Sequence, residues 1–293
     1  MAGQIVVGVD GSAPASAAVE WAADDASRRG CSLRLVHVCE EWSPSLGEAQ
    51  WPLSLDEAQA KHCAEALEAA ADRARELAPG LEVTTDLRKG NVVERLIAES
   101  ATADSTVLGS RGLGGFAGMV LGSVGMAVAG HAAGPVVVVR GPAEAQHGRI
   151  VVGYDGSQGA RVAMDYAIEQ ARARQARVDV VYAWQAPMSA PYATAFSSFL
   201  ESAFEQQKET AREAVAPWRE KNPDIEFTDE EVCEHPVPAL MTASASADLV
   251  VVGSRGMGGF ASAVLGSVSH GVLHHVTCPI AVVRPRGARA DAR

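Results

Sequence analysis

No stretch of this 293-residue chain approaches the roughly 20 consecutive apolar residues that cross a bilayer, although 47% of it is hydrophobic. No run of lysine or arginine interrupts an acidic balance of 25 basic against 36 acidic residues. A net charge of −11 opposes sequence-independent binding to a polyanionic backbone, so nucleic acid is not an expected partner. Local positive charge can still serve a single phosphate. The five cysteines, Cys31, Cys39, Cys63, Cys233 and Cys278, are odd in number and form no C-x-x-C pair. They read as neither a disulfide framework nor a zinc ligand set. Met1-Ala2-Gly3-Gln4 leads straight into a short strand with no basic region or cleavage site, and the expectation is a cytoplasmic, reduced protein.

The chain is written twice. Val107 to Val124 and Val251 to Val268 are identical at fourteen of eighteen positions. Ile5-Val6-Val7-Gly8-Val9-Asp10-Gly11-Ser12 has its partner in Ile150-Val151-Val152-Gly153-Tyr154-Asp155-Gly156-Ser157. The repeat implies two domains, 1–143 and 144–293, each within the usual size of a globular unit. The segments that stayed most alike are glycine-rich loops flanked by apolar runs. Core residues drift within a volume constraint, whereas glycine has few substitutes where backbone must approach a ligand closely.

Within each half, short β-branched runs alternate with helical patterns. In the first, strands are expected at Ile5 to Val9, Leu33 to Val38, Val83 to Leu87, Thr106 to Leu108 and Pro135 to Arg140. Helices are expected from about Pro14, with Ser12 as cap and Gly30 as stop, from Asp56 to Leu77, from Val92 to Ala101 and from Val124 to His131. The second half repeats the order. This is an α/β fold: two tandem doubly wound, five-stranded parallel sheets, Rossmann-like, of strand order 3-2-1-4-5. Uniformly apolar strands suit burial on both faces.

In such a sheet ligands bind beyond the carboxyl ends of the strands, where the order reverses. Asp10 and Asp155 follow the first strands there, and the glycine loops follow the fourth. Each loop fits G-x2-G-x9-G-S, through Gly109, Gly112, Gly122 and Ser123, and through Gly253, Gly256, Gly266 and Ser267. Its backbone N–H groups can cradle phosphate, with the serine opening a helix whose dipole favours anions. Arg111 and Arg255 add charge. The aspartates suit ribose hydroxyls or a phosphate-bound cation better than bare phosphate. A tight-turn role is the plainer reading of any single loop, but two copies of the full spacing favour binding. The G-x-x-x-x-G-K-[ST] loop is absent, as neither loop holds a lysine.

Through these motifs nearly all of both halves resembles the universal stress protein family, in its nucleotide-binding branch. The resemblance implies ATP, and Asp10 and Asp155 could hold Mg²⁺ beside it. It also implies that Gly8 and Asp10, with Gly153 and Asp155, lie near the adenosine, and that the backbone of Val38 and Ala183 faces adenine. Gly109, Ser110, Arg111, Gly112, Gly114, Gly115, Gly122, Ser123 and Val124 would wrap ribose and phosphates. Gly253, Ser254, Arg255, Gly256, Gly258, Gly259, Gly266, Ser267 and Val268 would do so in the second half. The family's last strands associate, so Val136 to Val139 and Ile280 to Val283 are expected to pair, and a homodimer is expected. Tyr154 for Val9 and Ser269 for Gly125 suggest sites of unequal affinity.

Other residues carry less. His270 and His274 have i,i+4 spacing but no carboxylate or cysteine completes a metal set, and no metal site is expected. His37 beside Cys39 reads as packing, because the repeat has Tyr182 and Trp184 there. Trp21 and Tyr166 read as core. Trp42, Trp51, Tyr192, Phe196 and Phe199 fall in the variable connections and are candidates to cover a ligand or meet a partner. A regulatory ATP-binding module is the favoured function. Slow Mg²⁺-dependent hydrolysis is the alternative, with no evident residue to orient water.

Overall fold

The computed structural model describes residues 3–40, 53–114, 121–141, 146–185, 197–257 and 264–285. In the first half, β1 (Gln4–Gly8), α1 (Ala13–Arg29), β2 (Ser32–Cys39), α2 (Leu53–Leu77) and β3 (Val83–Lys89) are followed by α3 (Val92–Glu99), β4 (Ser105–Gly109), α4 (Ser123–His131) and β5 (Val136–Val139). The second half has β6 (Arg149–Gly153), α5 (Gln158–Arg174), β7 (Arg177–Ala183), α6 (Ser197–Lys221) and β8 (Phe227–Val232). It continues with α7 (Pro236–Ser244), β9 (Leu249–Gly253), α8 (Ser267–His275) and β10 (Ile280–Val283).

Contacts divide the chain into Met1–Ala145 with Pro279–Arg293, and Gln146–Cys278. The sheet of the first unit runs β3-β2-β1-β4-β5, all parallel, the expected order 3-2-1-4-5. β10 then pairs antiparallel with β5, with Ile280 opposite Val138 and Val282 opposite Val136. The expected partnership of these two strands is therefore present, and the last strand is counted with the first unit rather than with the repeat that encodes it. In the second unit β8-β7-β6-β9 are parallel and repeat the order 3-2-1-4.

The local signals act as their chemistry requires. Ser12 Oγ accepts from Ala15 N at 3.3 Å and Ser157 Oγ from Ala160 N at 3.1 Å, capping α1 and α5. Gly30 ends α1 at φ 63°, a left-handed position glycine occupies freely. Small alanines on α1 (Ala18, Ala22, Ala26) let it lie close on the fully buried Ile5, Val6 and Val7, with Trp21 and Tyr166 in the core as expected.

One expectation fails at the sheet margins. β3 reads Val-Thr-Thr-Asp-Leu-Arg-Lys and is mostly exposed, and β8 is half-buried with two exposed residues. These are edge strands whose charged side chains face water, not strands buried on both faces. α2 begins at Leu53, ahead of the expected Asp56, and α6 runs on through Pro217 to Lys221.

Candidate functional site

β1 pairs with β2 on one side and β4 on the other, so the Asp-Gly-Ser turn and the glycine loop leave the sheet together where strand order reverses. Gly11 and Gly156 both hold φ +82°, a left-handed conformation that turns each chain sharply. Asp10 Oδ1 then accepts from Ser12 N at 2.9 Å, and Oδ2 from Leu113 N at 2.9 Å. Asp155 repeats this with Ser157 N at 3.0 Å and Met257 N at 3.1 Å. Each aspartate thus clasps the start of the glycine loop to the first strand. Sequence reasoning assigned them to ribose or a cation and missed this task, because it joins residues more than a hundred positions apart.

Two of the three motif glycines are fixed by close approach of other atoms, and the third is not. A Cβ on Gly109 would stand 2.5 Å from the backbone carbon of Pro14, and one on Gly253 would stand 2.5 Å from that of Gly159. These positions let α1 and α5 begin against the strand ends. A Cβ on Gly112 or Gly256 would fall 2.4 or 2.3 Å from an oxygen of Asp10 or Asp155, so both make room for the clasp. Gly122 and Gly266 obey neither reason. Their φ of −76° and −69° suit any residue, and an added Cβ would meet only ordinary contacts at 3.4 Å or beyond. They are also N-caps without a side-chain hydrogen bond, where serine or aspartate would cap better.

Past these caps, Ser123 and Ser267 are exposed and Val124 and Val268 half-buried, each pair opening a nine-residue helix. The first N–H groups of a helix have no intrahelical partner and carry the positive end of its dipole. Gly122 N–H donates to the Ser110 carbonyl and Gly266 N–H to that of Ser254, both at 2.8 Å, so the buried serines set the helix entry through their backbones. In the second unit α8 opens onto a cavity of about 570 Å³. Its walls bring together Gly153, Asp155, Ala183, Gly253, Arg255, Gly256, Gly266, Ser267 and Val268 of the expected set. Ser254 lies beneath, 1% exposed. In the first unit Gly8 packs against Leu108 and Leu96, Val38 is buried, Arg111 is exposed, and Gly114 borders open space. Gly115, Gly258 and Gly259 lie outside the described residues.

The cavity has walls the motif did not announce. Leu240 and Pro236 of α7 supply an apolar side, and His270 lines the opposite helix, its ring centroid 4.7 Å from that of His274. Proline followed by an apolar run after the third strand was the available signal. Ser269 is accommodated by a hydrogen bond from its Oγ to the Gly253 carbonyl at 2.6 Å. Trp42, Trp51, Tyr192, Phe196 and the Phe199 side chain lie outside the described residues.

Tyr154, another lining residue, sets its ring edge-on to Trp218, centroids 5.8 Å apart. Burial pushes its phenol above the ordinary value of 10.0, against the opposing pull of Arg161. Since the folded value is raised, its stabilising contribution holds below pH 10 and is lost as pH rises from there through the folded value. Ultraviolet titration should show late tyrosine ionisation, and Tyr154→Phe should remove one late phenol from it. A normal phenol at this position would contradict the buried environment.

The clasp makes a second prediction. Asp155→Ala strips two backbone N–H groups of a charged acceptor, each contact being worth about 1–3 kcal/mol. Exchange of the Met257 amide hydrogen should accelerate by tenfold or more, and the unfolding midpoint should fall by several degrees. Unaltered exchange would show that the loop is held by other means.

The cysteines require a correction. Cys39 and Cys63 form a disulfide, although no pairing was expected from their spacing. His37 is buried beside them, as a packing role requires. The physical reason is tertiary, since α2 lies on β2 and brings Cys63 over the strand end.

Two units, each with a glycine loop clasped to an Asp-Gly-Ser turn and a helix opening beyond it, define a tandem α/β protein of doubly wound type. The universal stress protein family model matches residues 1–140 and 147–284, and the chain belongs to that family. A universal stress protein of Mycolicibacterium smegmatis is 36% identical over 293 residues, covering 96% of this chain and 97% of its own. One from Mycobacterium tuberculosis is 36% identical over 302 residues, covering 96% and 94%. The crystal structure of a universal stress protein from Archaeoglobus fulgidus matches with a TM-score of 0.71 at 20% identity, covering 97% of each chain. At that identity the likeness concerns the fold. Among the described residues no helix is long and apolar enough to cross a membrane.

Proposed function

We propose that this chain is a regulatory protein of the cytoplasmic stress response that binds ATP, one molecule per half, and acts as a homodimer. The observation that carries the reading is the second-unit cavity with Gly266 at its mouth. A bare glycine cap there keeps side chains away from the free N–H groups of α8. A volume of about 570 Å³ lies within the range of pockets that take small ligands. The dipole of α8 and the charge of Arg255 suit the phosphates, and the apolar wall of Leu240, Pro236 and Ala183 suits the base. Asp155 presents its carboxylate to the same space, where ribose hydroxyls or a phosphate-bound Mg²⁺ would meet it. The matching clasp and glycine cap of the first unit support a second site through Gly8, Asp10, Val38, Gly112, Gly122, Ser123 and Val124.

ATP supplies the triphosphate charge to which loop and helix respond. The chain's own residues bind and orient it, and none is assigned a bond-breaking role. Denaturing the purified protein and separating what is released should give two adenine nucleotides per chain. No nucleotide, with no uptake of added ATP, would reduce both loops to structural turns. Multi-cycle phosphate release lost in Asp10→Ala/Asp155→Ala would instead move the reading to slow hydrolysis.

A further inference from the structure

Three ligand-type side chains meet at the end of β2. Cys39 closes the strand, and His37, two residues earlier, shares its face by the alternation of a strand. Cys63 arrives from α2. The two sulfurs and an imidazole nitrogen all lie within 4.8 Å of one another. His37 is 7% exposed, Cys39 8% and Cys63 5%. His37 Nδ1 is buried and has no hydrogen-bond partner, a state that ordinarily costs about 1–3 kcal/mol.

The second half sharpens the contrast. Tyr182 and Trp184 replace His37 and Cys39, and with α2 and α6 aligned end to end Gln207 replaces Cys63. Tyr182 Oη donates to Gln207 Oε1 at 3.3 Å, so an ordinary hydrogen bond occupies the same place. Among the described residues, only the first half collects soft ligands there.

We propose that Cys39 Sγ, Cys63 Sγ and His37 Nδ1, with the cysteines reduced, bind a soft divalent transition-metal ion of the Zn²⁺ type. A dithiol reductant supplies the two electrons and two protons that open the Cys39–Cys63 bond, becoming a disulfide itself. The two thiols then give up one proton each to water as the metal binds. Tetrahedral bonds of about 2.3 Å from zinc to sulfur set two sulfurs roughly 3.8 Å apart, within the span of this cluster. Cα atoms 6.7 Å apart allow both the disulfide and the metal-bound arrangement. Three protein ligands leave a fourth position open, the pattern of an exchangeable rather than a closed site. Disulfide and metal-bound dithiolate are then alternative states of one pair.

The test uses the full chain, reduced with a dithiol, desalted without oxygen and titrated with Co²⁺ alone. The expected result is one equivalent per chain, with a thiolate-to-cobalt charge-transfer band that Zn²⁺ abolishes by displacement. Cys39→Ser and Cys63→Ser should each lose that band. His37→Tyr, which writes in the second-half residue, should weaken binding by roughly tenfold or more. No uptake by the reduced chain, or an unchanged band in Cys39→Ser/Cys63→Ser, overturns the proposal. Should a serine variant fail to fold, alkylation of the native reduced chain decides. Protection of two thiols by Zn²⁺ supports the site, and no protection overturns it.

Discussion

A chain carrying Gly122→Leu and Gly266→Leu will fold normally and lose ATP binding by at least about a hundredfold, some 2.8 kcal/mol per site. Both positions sit in the extended basin open to every residue, at φ −76° and −69°. The first carbon of an added side chain meets nothing closer than 3.6 Å at Gly122 and 3.4 Å at Gly266. Nothing in the folded protein resists the change, so the thermal midpoint should stay within a few degrees. What the leucines fill is the space before the first N–H groups of α4 and α8. Isothermal titration on the variant, with thermal unfolding beside it, separates the two effects. Full affinity in a folded variant would sink the site assignment.

The opposite outcome is expected two turns of the same motif earlier. Gly253→Val should cost stability on the order of 3 kcal/mol, a fall of about 10 °C in a unit of this size, whatever it does to binding. Its Cβ would lie 2.5 Å from the carbonyl carbon and 2.7 Å from the carbonyl oxygen of Gly159, and Gly159 itself already lies against the backbone of Arg255. Backbone atoms of a helix start cannot rotate aside as a side chain can, so the clash must be relieved by moving α5 off β9. Gly109→Val should do the same through Pro14 and Ala15. Differential scanning calorimetry of the single variants checks this. A midpoint unchanged at either position would mean that helix and strand are less closely seated than the distances show.

These two predictions separate glycines that look alike in the sequence. Spacing marked Gly109, Gly112 and Gly122 as one pattern, but only the fold shows that the first seats a helix, the second admits an aspartate and the third would take a side chain in ordinary contact. The parts of the fold that are local in the chain were readable from it. Ser12 and Ser157 cap helices because their hydroxyls sit three residues before waiting N–H groups, and the buried strands announce themselves by β-branched runs. The strand order followed from alternation and handedness, and it holds through β1 to β5. The Asp10 to Leu113 bond, 103 residues long in sequence, has no local signature. Neither has Cys39 with Cys63, whose separation of 24 matches no ligand spacing and whose meeting depends on α2 lying over β2. Edge strands were misjudged for a related reason. The charges in β3 are visible in the sequence, but their meaning depends on which side of the sheet has no further neighbour.

The position of β10 bears on how the molecule comes to exist. Its residues, within Pro279–Arg293, are counted in the unit that begins at Met1. The ribosome therefore makes most of one unit, then all of the other, and delivers the strand that covers β5 only at the end. Until then the Val136–Val139 edge stands as an open hydrogen-bonding rim, the kind of surface on which nascent chains join one another by mistake. The first half of this protein to be translated is thus the last to be finished. A nascent chain stalled before residue 279 would present that unpaired rim to its neighbours.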